Sequence, residues 1–125
     1  MRKILIIEDD FYISDIYEKA FTAGGYDVST AADGEEGVLK AASGTYDVIL
    51  VDIMLPKMNG IDVLRRLREV GATGETPIFM TTNLGQDNIL KEAFKIGADG
   101  YFIKAQLRPV NLVSEINKFF EDRGA

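Results

Sequence analysis

The chain contains no cysteine and no histidine. Without cysteine there are no disulfides, no thiolate nucleophile and no cysteine-bearing zinc site, and the composition fits a reducing compartment. Without histidine, the commonest general base and the Ser-His-Asp and Cys-His arrangements are excluded, so any phosphohistidine chemistry needs an imidazole from a partner. Positive charge is also scarce: 14 Lys and Arg stand against 20 Asp and Glu, a net charge of -6. Non-specific nucleic-acid binding draws its affinity from cations that neutralise phosphates, and no direct nucleic-acid contact is expected. The two small basic clusters, Arg65-Arg66-Arg68 at helical spacing and Arg2-Lys3, read as solvated faces. No apolar run approaches the ~20 residues of a membrane span. Met1-Arg2-Lys3 leads straight into a short apolar strand rather than a signal-peptide core, so a cytoplasmic location is expected.

What is present is an alternation of short apolar runs with segments of helical periodicity. That pattern marks an α/β fold, a parallel sheet with helices on both faces. Residues 1–125 read as one domain, long enough to bury roughly two thirds of the unfolded surface, with no repeat, linker or second module. Strand one is expected over Lys3 to Ile7, and helix one from Asp10 to Ala23 with Ile13, Ile16, Tyr17, Ala20 and Phe21 on one face. Gly24-Gly25 ends that helix. Strand two covers Tyr26 to Ala31, and Asp33 followed by Glu36 is a capping-box pattern for a helix ending near Ser43-Gly44. Strand three covers Tyr46 to Asp52, and Asn59 caps a helix whose face carries Ile61, Leu64, Leu67 and Arg68. Strand four runs from Pro77 to Thr82 and helix four from Asp87 to Ile96, stopped by Gly97. Strand five is Gly100 to Ile103. Helix five starts near Pro109, with Val110, Val113, Ile116 and Phe120 facing inward.

The strand ends carry the chemistry. Asp52 closes the run Tyr46-Asp47-Val48-Ile49-Leu50-Val51, where open α/β folds present groups to the crevice that binds ligands. Glu8-Asp9-Asp10 closes Ile4-Leu5-Ile6-Ile7 in the same manner. Carboxylates gathered at that density repel one another unless a cation lies between them. Oxygen ligands without histidine or cysteine suit a hard ion, Mg²⁺ ahead of Ca²⁺ or Mn²⁺. Strand four ends in a hydroxyl, Thr82, and strand five delivers the ammonium of Lys104. A carboxylate that can attack phosphorus, a metal site, a hydroxyl and an ammonium together fit a phosphoryl group.

With these residues in view the chain resembles a receiver domain of a two-component response regulator, nearly end to end. The matching segments are Glu8-Asp9, Asp52 through Gly60, Pro77 through Thr82, and Gly97-Ala98-Asp99-Gly100-Tyr101-Phe102-Ile103-Lys104. The resemblance implies a flavodoxin-like (βα)5 fold, a five-stranded parallel sheet in the order 2-1-3-4-5 with helices on both faces. It implies that Asp52 accepts a phosphoryl group from a histidine kinase or phosphotransfer protein, using Mg²⁺. Asp9, Asp52 and the backbone carbonyl of Met54 are the implied metal ligands, with Glu8 acting mainly through a bound water. Lys104 is implied to pair with Asp52 and then with the phosphoryl group, which Thr82 and the Asn83 N–H also bind. Counting from Pro77 as the family does selects Thr82 over Thr81. Tyr101 resembles the family's aromatic switch, which moves inward with the threonine. The face of helix four, strand five and helix five is the implied docking place for a downstream effector or a second copy.

Three features depart from the family pattern. Lys104 is followed by Ala105 rather than proline, so a trans bond is expected there, because a cis bond before a non-proline residue costs roughly 2.5 to 4 kcal/mol. Asn83 stands where a smaller residue is usual. Met54 and Leu84 flank the path of the hydrolytic water and cannot hydrogen-bond it, which predicts slow loss of phosphate. The competing reading is a pseudo-receiver, a phosphorylation-independent protein-binding module. A nucleotide-binding or phosphatase reading is disfavoured because Glu8-Asp9-Asp10 offers neither a phosphate-cradling loop nor an Asp-x-Asp pair.

Overall fold

Val48–Asp52 is buried at every position and forms β3, the centre of the sheet. A strand covered on both faces reads as a continuous apolar run, which is how Val48-Ile49-Leu50-Val51 reads. The computed structural model describes residues 1–69, 75–83 and 87–123. Its other strands are β1 (Lys3–Ile7), β2 (Asp27–Ala31), β4 (Ile78–Thr82) and β5 (Gly100–Ile103). All pair in parallel, in the order β2-β1-β3-β4-β5, as expected. Between them run α1 (Phe11–Ala23), α2 (Gly34–Ser43), α3 (Gly60–Glu69) and α4 (Asp87–Ile96), and α5 (Pro109–Asp122) follows the sheet.

Alternation along each strand divides the core in two. Leu5, Ile7, Ile49, Val51, Ile78 and Met80 pack with residues of α2, α3 and α4. Ile4, Ile6, Val48, Leu50 and Phe79 pack with Tyr17 and Phe21 of α1 and with Leu112, Val113 and Ile116 of α5. Some of the expected details differ. Tyr26 and Tyr46 precede their strands, which begin at Asp27 and Val48, although Tyr26 is buried. Ile16 and Val110 face solvent, 49% and 63% exposed, because the apolar stripe of each helix passes beside them. Arg68 is no solvated side chain: it donates to the carbonyls of Thr76 and Gly97 and pairs with Asp99 at 3.1 Å, tying α3 to the start of β4 and the end of α4.

Helix starts are fixed by side chains. Asp10 accepts from the N–H groups of Tyr12 and Ile13, so the residue directly after Glu8-Asp9 begins α1. Asp33 caps α2 by accepting from Glu36 N–H, while the Glu36 carboxylate reaches back to Ala32 N–H rather than to Asp33. Asn59 accepts from Asp62 N–H at the head of α3, as its position predicts. After β5 the chain makes a 3₁₀ turn over Lys104–Gln106, and the Lys104–Ala105 bond is trans.

Candidate functional site

β1 and β3 are neighbours, so the groups that follow them meet. One carboxylate oxygen from each of Glu8, Asp9 and Asp52 lies within 4.8 Å of the other two. Glu8 and Asp52 are 3% and 4% exposed, whereas Asp9 faces solvent at the mouth. Lys104 reaches this cluster from β5. Its Nζ lies 2.5 Å from Glu8 Oε1 and 3.0 Å from Asp52 Oδ2. The second oxygen of each buried acid is also held: Glu8 Oε2 accepts from Asp10 N–H at 3.1 Å, and Asp52 Oδ1 accepts from Met54 N–H at 3.0 Å. Both carboxylates are therefore oriented before any ligand arrives.

Glycine at position 60 lets the α3 end of the loop close over Asp52. A Cβ there would lie 2.4 Å from the Asp52 carbonyl oxygen and 2.5 Å from Ile53 Cα, and Gly60 N–H donates to the Ile53 carbonyl. The same loop holds Lys57 at φ 65°, a left-handed conformation that a side chain rarely adopts.

The electrostatics follow from burial and pairing. Burial pushes the Glu8 carboxyl up to about 7, and the Asp52 charge adds to this; the bonds from Lys104 and Asp10 N–H oppose it. For Lys104, burial works towards a lower value, but the bond to Glu8 and the negative charges of Asp52 and Glu8 outweigh it and hold the ammonium above its ordinary range. Three carboxylates and one ammonium carry -3 and +1, which leaves -2 at the cluster when all are ionised. A divalent, oxygen-seeking cation matches both that charge and that donor set.

Other predicted positions fall less neatly. Register pairs Asp52 with Thr81, and Thr82 with Ile103. Alternation therefore sets Thr81 on the face of Asp52 and Thr82 on the α4 face, at the last residue of its strand and 1% exposed. Tyr101 pairs with Met80, is 42% exposed, and meets Phe94 of α4 edge-on at 6.1 Å, so its ring stands outside the crevice. Met54 is exposed beside the cluster and Asn83 is exposed just beyond β4. Leu84 lies outside the described residues. Sequence reasoning gave Glu8 a role through water and missed its direct bond to Lys104, for which spacing offers no signal because the two are 96 residues apart.

Residues 4–117 match the family model of the response regulator receiver domain. The chain is 42% identical over 104 residues to the DNA-binding dual master transcriptional regulator RpaA of Synechocystis, across 83% of this chain and 43% of that protein. It spans less than half the length of the curated relatives it matches. Among solved structures, the chemotaxis protein CheY4 of Vibrio cholerae superposes with a TM-score of 0.89 at 30% identity, covering 94% of this chain and 98% of that one. The receiver domain of the Pseudomonas aeruginosa sensor histidine kinase PA1611, which carries a magnesium ion in its active-site cleft, gives a TM-score of 0.84 at 26% identity over 94% and 95% of the two chains. Fold and strand order agree with these relatives, and the chain belongs to the family of response regulator receiver domains.

Proposed function

We propose that Asp52 is the phosphoacceptor of a signalling switch, loaded by a histidine kinase or phosphotransfer protein. The observation that carries this reading is the Asp52 carboxylate itself, buried at a strand end and held by Lys104 and a backbone N–H beside two further acids. Because the chain has no histidine, the donor imidazole belongs to the partner. An Asp52 oxygen attacks phosphorus, the P–N bond of the phosphohistidine breaks, and the electron pair leaves with the imidazole nitrogen. Asp9, Asp52 and the Met54 carbonyl would hold Mg²⁺, with Glu8 behind them, and the ion supplies charge neutralisation for the phosphoryl oxygens.

Lys104 leaves its carboxylates for the phosphoryl oxygens, and Thr82 turns its hydroxyl from the α4 side towards them, with Asn83 N–H as a further donor. Tyr101 then has room to move inward, shifting the face of α4, β5 and α5 where an effector or second copy docks. The relative RpaA is DNA-binding, but the match spans 43% of it. For this acidic chain we place the output in protein contacts rather than in nucleic acid. The presence of Glu8, Asp9, Asp52 and Lys104 in one cluster supports phosphorylation over a phosphorylation-independent binding module.

Incubation with acetyl phosphate or phosphoramidate and Mg²⁺, followed by mass spectrometry, tests the proposal. One phosphoryl group on Asp52 is expected, and none on Asp52→Asn. Phosphorylation of the variant to the same extent refutes the assignment. Decay of the phosphorylated protein in Mg²⁺ within seconds would contradict the slow loss expected from an apolar Met54 and Leu84.

A further inference from the structure

The two ends of α4 are held differently. At its C-terminal end Gly97 takes φ 121°, a left-handed conformation that closes a helix, and the N–H groups of Gly97 and Ala98 both donate to the Ala93 carbonyl. Arg68 of α3 reaches this turn with its side chain 18% exposed. It donates to the Gly97 carbonyl at 2.7 Å and to the Thr76 carbonyl at 2.9 Å, and it pairs with Asp99. Asp99 is bound in turn to β4: its carboxylate accepts from Ile78 N–H at 2.9 Å, and its own N–H donates to the Ile78 carbonyl at 2.8 Å. A Cβ at Gly97 would lie 3.2 Å from Arg68 Nε, so little space is left at this end.

Towards its middle and start α4 is held loosely. The ion pair that joins it to α3 there is Arg65–Glu92 at 3.2 Å, with both side chains about half exposed, and Arg65 is shared with Asp62 of its own helix. An exposed pair of this kind contributes little. A groove of about 290 Å³ lies between the two helices at this level, lined by Met54, Ile61, Ile89 and Glu92 among others. Among the described residues of α4 only Leu90 and Ala93 are buried, against Ile61, Val63, Leu64 and Leu67 of α3. Elements that move are drawn from those with the least buried apolar contact.

We propose that α4 answers phosphorylation by pivoting about the Gly97 turn, with the Arg68 clamp as the fixed point and the Arg65–Glu92 pair as the contact that opens. The trigger rests on the phosphoacceptor reading given above; the clamp and the pair do not. Tyr101 meets the ring of Phe94, so an inward move of Tyr101 removes a neighbour from the exposed side of α4. The exposed pair then yields before the clamp, which joins a charged donor to two carbonyls and a carboxylate in a largely buried setting. The helix therefore tilts rather than slides. Its first turns, which follow the strand end that carries Thr82, move most.

The chain has no cysteine, so pairs of spin labels can be placed on it without removing any. Leu39→Cys on α2, at a position 70% exposed, serves as the reference and is combined with either Asn88→Cys or Lys95→Cys at exposed positions of α4. Distances are read by double electron–electron resonance before and after addition of Mg²⁺ and beryllium fluoride, a stable stand-in for the phosphoryl group. Position 88 is nine residues from Gly97 and position 95 is two, so a pivot displaces the first about four times as far as the second. Equal displacement, or none at either position with beryllium fluoride bound, overturns the proposal. In the metal-free protein Glu92→Gln should raise the ratio of displaced to resting distances at position 88 about two- to fivefold, the worth of an exposed pair, and leave position 95 in place. A distribution identical to the wild type would remove the pair as the catch. Arg68→Lys keeps the charge and loses the forked donor, so position 95 should then move with position 88, and a fixed position 95 would remove Arg68 as the clamp. The wild-type distances decide the pivot even where Arg68→Lys does not fold. If ¹⁹F NMR shows no bound beryllium fluoride, the phosphoacceptor reading fails instead, and Glu92→Gln still decides the pivot.

Discussion

At the scale of single residues, Glu8 sets a pH dependence whose sign can be worked out. Its carboxyl titrates near 7 in the folded protein against an ordinary value of 4.5, so between those values the folded state holds a proton that the unfolded state has released. Stability of the metal-free protein from this group is full below about 4.5 and falls as the pH rises towards 7. A bound cation favours the ionised carboxylate, so Mg²⁺ and the proton compete. Affinity for Mg²⁺, measured by calorimetric titration at pH 6 and pH 8, should be higher at pH 8, with a limiting slope of about tenfold per pH unit below the titration of Glu8. Glu8→Gln should flatten that dependence. Equal wild-type affinities at the two pH values would show that the ion displaces no proton from Glu8.

Elements place these residues, and Gly60 shows how tight the placement is. The atoms that an added Cβ would meet belong to the backbone of Asp52 and Ile53, which cannot rotate away as a side chain can. Gly60→Ala must therefore push α3 from the end of β3, a loss of about 1 to 3 kcal/mol of the kind overpacking produces. Urea denaturation should record it, together with weaker Mg²⁺ binding, and a variant as stable as wild type with unchanged metal affinity would contradict the close contact. Strands were legible because parallel strands buried on both faces read as unbroken apolar runs, and Asp33 and Asn59 announced their helices by cap chemistry. Tyr26 and Tyr46 misled because aromatic residues suit strands as well as the packed turns before them. Ile16 and Val110 misled because periodicity alone does not fix the edge of a helix face. Arg68 was hidden in an apparently solvated basic cluster, since its acceptors, Thr76, Gly97 and Asp99, come from segments that only the fold brings together.

For the whole molecule the decisive quantity is charge. The chain carries -6 in total, and the crevice concentrates -2 at one end of the sheet when Glu8 is ionised. The fold must hold those acids together in the native state, whereas the unfolded chain disperses them. A cation that binds only the assembled cluster shifts folding by mass action, by about 1.4 kcal/mol at a concentration ten times its dissociation constant. For a domain of this size that corresponds to a rise of roughly 3 to 8 °C in melting temperature. NaCl at matched ionic strength screens the net charge without occupying the site, so it should reproduce only part of the effect. Asp9→Asn and Asp52→Asn each remove a proposed ligand and relieve repulsion. Both should raise the melting temperature without metal while shrinking the rise that Mg²⁺ brings. An Mg²⁺ rise that NaCl matches in full, or that survives both substitutions undiminished, would mean that general screening rather than the Glu8–Asp9–Asp52 cluster accounts for the stabilisation.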